Sequence, residues 1–141
     1  MRPNTKAPSS ALTVIRSTHS GKISTRDPRI LKAIELFERG TATHVSDVAT
    51  DLNLSSSRFR HLFKQELGLS PKHYLKLTRL KRAKELLENS FLRIKEVTTI
   101  VGVNDTSHFS RDYKALYKHT PSQTRALLGS MRSEAAILAK K

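Results

Sequence analysis

With 141 residues, the chain is long enough for one folded domain and leaves little room for a second. It carries 26 Lys and Arg against 12 Asp and Glu, and its formal net charge of +14 favours an anionic partner. Nucleic acid is the first candidate, an anionic membrane surface the second, and a ribosomal or nucleoid packing role the third. The absence of cysteine excludes disulfides, thiolate metal sites and a cysteine nucleophile.

Residues 1–26 carry five basic and no acidic side chains, and Ser and Thr are frequent among them. They show no sustained hydrophobic period, which predicts a flexible basic arm or linker. Either this arm touches DNA or it has no role in binding. No secretory signal is recognisable, and no apolar run approaches the roughly 20 residues of a membrane span. We therefore expect a cytoplasmic, bacterial-type protein that is associated with the nucleoid and has no membrane partner.

The first predicted helix begins at Asp27-Pro28, where an N-cap residue is followed by a proline at the first helical position. Four apolar residues are expected to face the core: Ile30, Leu31, Ile34 and Phe37. Gly40 ends the helix. We expect this helix to pack behind the segment that follows and to carry no chemistry of its own.

Residues 45–71 predict a helix-turn-helix. Apolar residues at i, i+3, i+4 and i+7 mark a short helix: Val45, Val48, Ala49 and Leu52. Asn53-Leu54 interrupts this pattern, and Ser55 or Ser56 can cap a second helix by accepting an otherwise unpaired N–H. The second helix has an apolar stripe of Phe59, Leu62, Phe63 and Leu67, and Gly68 ends it. The opposite register is cationic and hydrogen-bonding, with Ser57, Arg60, His61 and Lys64.

Ser70-Pro71 starts a long central helix that is expected to run to about Asn89. Its candidate core positions are Tyr74, Leu75, Leu80, Ala83, Leu86 and Leu87. Its other side is basic, with Lys72, Lys76, Arg79, Lys81, Arg82 and Lys84. These cations form a solvated face, or some of them meet phosphates.

The helix-turn-helix pattern then occurs a second time. The short helix is marked by Ile94, Val97, Thr98 and Val101, and the second helix by Phe109, Tyr113, Leu116 and Tyr117. The two copies align at an offset of 49 before the turn, as in Val48 and Val97, and of 50 after it, as in Phe59 and Phe109. Asn104 or Asp105 caps the second helix of this copy. Two copies are too few for a solenoid and indicate two modules joined by the central helix.

After the second module, Thr120-Pro121 is expected to open a last short helix that contains Ala126, Leu127 and Leu128. Residues 129–141 are expected to form a C-terminal tail. Within this tail, Ser133 to Lys140 has an amphipathic pattern, which indicates either an oligomer contact or a frayed end.

From about Ile30 to Arg125 the chain resembles the DNA-binding domain of the AraC/XylS transcription regulators. The matching stretches are VATDLNLSSSRFRHLFKQELGLSPKHYLKLTRLKRAKELL and IKEVTTIVGVNDTSHFSRDYKALYKHTPSQTR. The resemblance implies an all-α domain (residues 27–128) of about seven helices, with two helix-turn-helix subdomains (27–69 and 90–128) joined by a linker helix (70–89). It also implies sequence-specific promoter binding, usually with activation of transcription through contacts with RNA polymerase. The family usually carries an effector-sensing domain, so the chain is either a stand-alone short regulator or a fragment of a larger, effector-controlled one.

Three positions depart from the family pattern. Thr98 stands where a small alanine is usual, Val103 where Phe usually follows the glycine, and Lys118 where Gly usually precedes Thr-Pro. We expect these changes to affect the packing of the second module.

Helical register and the family resemblance select nearly the same outward positions on the second helix of each module, which we call the recognition helix. The side chains expected to face bases are Ser57, Arg60 and His61 in the first module and Thr106, Ser107, His108 and Arg111 in the second. The side chains expected to face phosphates are Ser55, Ser56, Lys64, Asn104 and Lys114. Arg60 and Arg111 can each pair with guanine O6 and N7 through two hydrogen bonds.

These patterns predict a sequence-specific regulator that binds double-stranded DNA as a monomer, reads two adjacent major grooves and needs no cofactor. The histidines lack metal-ligand spacing and an acidic cluster, so we expect no metal site. Every Ser near a His has a capping or groove role, so we expect no enzymatic activity. Two alternatives stay open: a non-specific basic packing protein, and a peripheral membrane or partner-binding helical protein. Neither one requires the duplicated pattern.

Overall fold

The computed structural model of the chain describes residues 25, 27–42 and 44–139, with the backbone alone for residues 130–137 and 139. Seven α-helices and no strand occur in these ranges, which confirms the all-α prediction. The helices are α1 (Pro28–Glu38), α2 (Val45–Asp51), α3 (Ser56–Leu67), α4 (Pro71–Asn89), α5 (Ile94–Ile100), α6 (Thr106–Tyr117) and α7 (Pro121–Ala139). Apart from Thr25, the predicted basic arm lies outside the described residues. The chain divides within α4 into two compact units, between Thr78 and Arg79.

The first unit packs α1, α2, α3 and the start of α4 around an aromatic cluster. The neighbouring rings of this cluster lie 5.5 to 6.5 Å apart between centroids, and its members are Phe37, Phe59, Phe63 and Tyr74. The Tyr74 hydroxyl donates to Glu38 Oε1 (3.1 Å), so the polar end of this buried side chain is satisfied. The prediction that Leu31 joins the core is wrong, because Leu31 is 42% exposed. Ala33 completes the buried face of α1 instead.

The second unit builds a smaller core from the end of α4 together with α5, α6 and α7. Its buried apolar residues are Leu80, Ala83, Leu87, Val97, Val101, Phe109 and Tyr113. Tyr113 occupies the place that Phe63 has in the first unit, and its hydroxyl shares a buried hydrogen bond of 2.8 Å with Thr124 Oγ1. Burial raises the pKa of Tyr113, so this phenol stays protonated at physiological pH. The buried Thr98 is also satisfied, because its hydroxyl donates to Lys95 O (2.8 Å) within α5.

The turns and helix ends of the two units repeat each other. Within the two turns, Asn53 (φ 56°) and Gly102 (φ 81°) both adopt the left-handed conformation. The recognition helices also end in this conformation, at Gly68 (φ 78°) and at Lys118 (φ 67°). Because Lys118 has a Cβ, it adopts this conformation at a cost of about 1–2 kcal/mol that glycine avoids. The departure from the family pattern at position 118 therefore adds local strain without changing the backbone.

The last helix differs from the prediction of a short helix followed by a tail. α7 is one continuous helix of 19 residues, Pro121–Ala139, and Gly129 does not interrupt it. A glycine in a helix interior costs about 1 kcal/mol relative to alanine, which is less than a break requires. The flanking residues are mostly strong helix formers, including Ala126, Leu127, Leu128 and Met131.

We predict that Phe63→Ala and Tyr113→Ala each lower the free energy of unfolding by about 3–5 kcal/mol, because each removes a fully buried ring. Chemical denaturation of the free protein measures this loss. Tyr113→Phe keeps the ring and deletes only the bond to Thr124, so its expected loss is about 1 kcal/mol. Gln65→Ala on the exposed side of α3 is the control. An unchanged unfolding curve for Phe63→Ala or Tyr113→Ala would contradict the core assignment.

Candidate nucleic-acid interface

The first helix-turn-helix consists of α2, a tight turn and α3. The Leu54 N–H donates to Ala49 O (2.9 Å), which closes the turn after α2. Ser55 then caps α3, because its Oγ accepts the Arg58 backbone N–H (3.2 Å). Phe59 and Phe63 are fully buried, so they fix the rotation of α3 about its own axis.

This rotation exposes every side chain of the first module that was selected from the sequence. The exposed set is Ser55, Ser56, Ser57, Arg60, His61 and Lys64. Within it, Arg60 Nη2 lies 3.5 Å from Ser57 Oγ, one helical turn away. The structure thus brings these groups together on one side of α3, and their contact with DNA stays a prediction.

The second helix-turn-helix consists of α5, a turn one residue longer, and α6. The Val103 N–H donates to Thr98 O (2.8 Å) in this turn. Of the two predicted caps, Asp105 is the one that accepts the His108 backbone N–H (3.0 Å), while Asn104 lies exposed in the turn. The remaining selected side chains are all exposed on α6: Thr106, Ser107, His108, Arg111 and Lys114.

Two carboxylates, Asp105 and Asp112, flank the outward face of α6, and neither was predicted to lie beside it. Hydrogen bonds from the backbone N–H groups of His108 and Ser107 lower the pKa of Asp105, and the nearby charge of Arg111 adds to the effect. Asp112 Oδ2 lies 3.4 Å from His108 Nε2, one turn along the helix. The outward face of α6 therefore combines two acidic groups with its cations and hydroxyls.

Net charge does not concentrate in the two modules. Residues 45–67 hold three Lys and Arg and three Asp and Glu, and residues 94–117 hold the same numbers. The excess positive charge lies elsewhere, above all in residues 71–84, which contain six Lys and Arg and no acid. Most of the acids in these two segments lie outside the recognition helices, so α3 keeps three basic groups against one acid and α6 keeps two against one.

Sequence reasoning missed one exposed cation on α3. Arg58 is exposed and lies three residues before His61, so the two side chains are neighbours on the helix surface. The internal repeat contains the signal for it, because Arg58 aligns with His108 at the offset of 50. Only His108 of this aligned pair was selected from the sequence.

The described part of the chain offers neither a metal site nor a membrane-spanning helix. No group of three or more His, Cys, Asp or Glu side chains there is arranged to hold a metal ion. None of the described helices has the length and apolar character needed to cross a membrane.

Comparison with known proteins identifies the double helix-turn-helix. A family model described as a helix-turn-helix domain matches residues 48–127. The Msm operon regulatory protein of Streptococcus mutans is 37% identical over 95 residues, which cover 67% of this chain and 34% of that protein. The lactose operon transcription activator of Staphylococcus xylosus is 31% identical over 98 residues, covering 68% of this chain and 35% of that protein. This chain thus spans about a third of the length of these curated relatives.

The fold comparison agrees with the sequence comparison. A transcriptional regulator with an AraC-type DNA-binding domain, from Chromobacterium violaceum, has 31% sequence identity and a TM-score of 0.64. The match covers 70% of this chain and 90% of that chain. The family match spans more than half of the sequence, and the resemblance found in the sequence is confirmed. The chain belongs to the AraC family of helix-turn-helix transcription regulators.

Proposed function

We propose that this chain binds double-stranded DNA sequence-specifically, with α3 in one major groove and α6 in an adjacent one. The duplicated recognition helix is the observation that carries the proposal. Each recognition helix buries two aromatic rings on one face and exposes hydroxyl, imidazole and cationic groups on the other. Such a face offers both hydrogen-bond donors and acceptors to base edges, which differ for every base pair in the major groove.

Different side chains take different parts in this proposal. Arg60 and Arg111 pair with guanine through two hydrogen bonds, because the guanidinium fork matches guanine O6 and N7. The smaller groups that refine the choice of base are Ser57, His61, Thr106, Ser107 and His108. The groups that position the helices on phosphates are Ser55, Ser56, Lys64, Asn104 and Lys114.

The small net charge of the recognition helices favours sequence readout over non-specific packing. A packing protein binds phosphates mainly through a large net positive charge. Here α3 has three basic groups and one acidic group, and α6 has two basic groups and one acidic group. We therefore expect directional hydrogen bonds, which depend on the base presented, to contribute much of their binding.

The proposal extends to the regulatory outcome. One relative is named as an operon transcription activator, which supports activation here, with RNA polymerase as the protein partner. A single monomer suffices for two grooves, because one chain supplies both recognition helices. We place this activity at the nucleoid in the bacterial cytoplasm, with no catalytic reaction.

We predict that affinity for duplex DNA falls steeply with salt. A plot of log K against log salt concentration has a slope of about −0.9 per neutralised phosphate, so several phosphate contacts give a slope of several units. Fluorescence anisotropy at a series of salt concentrations measures it. At matched salt, a selected site is expected to bind about 10³-fold or more tightly than random duplex. Equal affinity for both would favour the packing alternative, and a flat salt response would remove DNA as the partner.

We predict that Arg60→Ala and Arg111→Ala each weaken binding to the selected site by about 1–3 kcal/mol and relax base preference at one position. Binding to random duplex changes much less, because the lost bonds are to bases. The matched control is Arg82→Ala, which removes an exposed arginine from α4. If all three variants lost affinity equally on selected and random DNA, Arg60 and Arg111 would be phosphate contacts.

We predict that the two short DNA sequences read by α3 and α6, called box one and box two, lie about one DNA turn apart. The linking helix α4 is continuous over 19 residues, or about 28 Å, and contains no internal Gly or Pro. Inserting about 5 bp between the boxes turns the second groove to the far side of the duplex and abolishes two-box binding. Inserting about 10 bp restores the side but adds roughly 34 Å, which a stiff linker cannot span. Recovered affinity at the 10-bp insertion would contradict a rigid monomeric reader and favour a flexibly linked dimer.

A further inference from the structure

The capping bonds fix a residue-by-residue correspondence between the two recognition helices. Ser55 accepts the Arg58 N–H and Asp105 accepts the His108 N–H, at 3.2 and 3.0 Å. Each bond joins the cap to the third residue of its helix. Arg58 and His108 therefore occupy the same position in the first turn, and all later positions of the two helices correspond at the offset of 50.

This correspondence shows that each outward face carries one Arg–His pair, in opposite order in the two helices. A serine precedes each pair, at Ser57 and Ser107. The pair is Arg58 and then His61 in α3, but His108 and then Arg111 in α6, and the further outward residue Arg60 of α3 corresponds to Ser110. Each Arg–His pair has the i, i+3 spacing that makes helix side chains neighbours. The order of arginine and imidazole along the helix is therefore reversed between the modules.

The surroundings of Arg58 leave its guanidinium able to contact a DNA base. Its backbone N–H is used by the cap, but no hydrogen bond or ion pair joins its side chain to another described residue. One turn further along α3 is Leu62, a half-buried apolar residue packed against the first core. The corresponding residue of α6 is Asp112, which lies 3.4 Å from His108. Arg58 thus has no carboxylate at the position where His108 has one.

We propose that Arg58 is a specificity-determining residue that reads guanine in the first box, in addition to the residues already assigned. This inference rests on the proposed function. The guanine read by Arg58 lies near the N-terminus of α3, whereas Arg111 reads guanine three residues further along α6. Three residues correspond to about 4.5 Å of helix, or roughly one base pair of DNA. The two boxes therefore share a guanine contact that is displaced by about one base pair.

Exchanging the order of the two groups tests this directly. The double variant Arg58→His/His61→Arg gives α3 the order found in α6, and His108→Arg/Arg111→His does the reverse in the second module. Sites are selected from random duplex DNA with the wild type and with both variants. In the first variant the guanine of box one that is assigned to Arg58 moves by about one base pair, while the guanine assigned to Arg60 and the whole of box two stay unchanged. In the second variant the guanine of box two moves in the opposite sense.

Single substitutions separate base readout from charge. Arg58→Ala is expected to weaken binding to the selected site by about 5- to 150-fold at fixed salt, with a much smaller loss on random DNA. Arg58→Lys keeps the charge but lacks the two-pronged fork, so it keeps the salt slope and loses the guanine preference. All four exchanged positions are exposed, and unchanged thermal melting verifies that each variant is folded.

The outcomes distinguish this inference from the proposed function. If the wild type selects two boxes and the Arg58→His/His61→Arg variant selects the same box one, the role of Arg58 is overturned. The proposed function then stays intact. Equal losses from Arg58→Ala on selected and random DNA overturn it as well, because they identify a phosphate contact. A wild type that selects no sequence at all overturns the proposed function itself.

Discussion

The outward face of each recognition helix depends on how the helix is rotated about its own axis, and two buried rings fix that rotation. Phe59 and Phe63 in α3, and Phe109 and Tyr113 in α6, are spaced by four residues and are at most 1% exposed. Turning either helix by one residue, about 100°, would expose a ring and lose roughly 1.5–3 kcal/mol of burial. It would also press cationic or hydrogen-bonding side chains into an apolar core without partners. Both costs act in the same direction, so the side chains offered to solvent are determined from inside the protein.

The two modules show that this constraint applies to geometry rather than to particular residues. In the first unit the ring of Phe63 packs on Tyr74, whereas in the second the corresponding residues, Tyr113 and Thr124, share a hydrogen bond. A serine caps one recognition helix and an aspartate caps the other. Left-handed residues stand at equivalent turn and helix-end positions whether or not they are glycine. The backbone is repeated while the side chains on both of its faces differ, and the proposed reading of two different sequences by one chain depends on that difference.

Helix caps, apolar stripes and turns depend on residues close in the sequence and could be predicted. Contacts that depend on distances between side chains could not. Caps, apolar stripes and the duplicated turn follow from local chemistry, and the structure confirms the caps at Asp27 and Ser55. The prediction for Leu31 was wrong because it followed the apolar character of the residue, whereas the i, i+3, i+4, i+7 spacing from Ile30 includes Ala33 and excludes Leu31. The length of α7 was not predicted, because the short helix from Pro121 and the amphipathic segment from Ser133 were treated as separate, and Gly129 between them costs too little to interrupt one helix. The contact between Asp112 and His108 requires the structure, whereas the repeat in the sequence already aligns Arg58 with His108.

The uneven distribution of net charge along the chain affects two parts of the proposed DNA binding: the non-specific attraction to phosphates and the discrimination between sequences. Coulomb attraction to phosphates is indifferent to sequence, and it is strongest where positive charge is in excess, as in residues 1–26 and 71–84. Had that excess been placed on α3 and α6, every groove would attract them, and the ratio of specific to non-specific affinity would fall. In the proposed complex, the small net charge of α3 and α6 would limit this attraction, and an ill-fitting base pair would leave their arginines desolvated without partners. Asp105 and Asp112 beside the outward face of α6 would, in this proposed complex, disfavour sites that offer them only acceptors. Most of the non-specific attraction in the proposed complex would therefore come from segments outside α3 and α6, and the discrimination between sequences would come from those two helices.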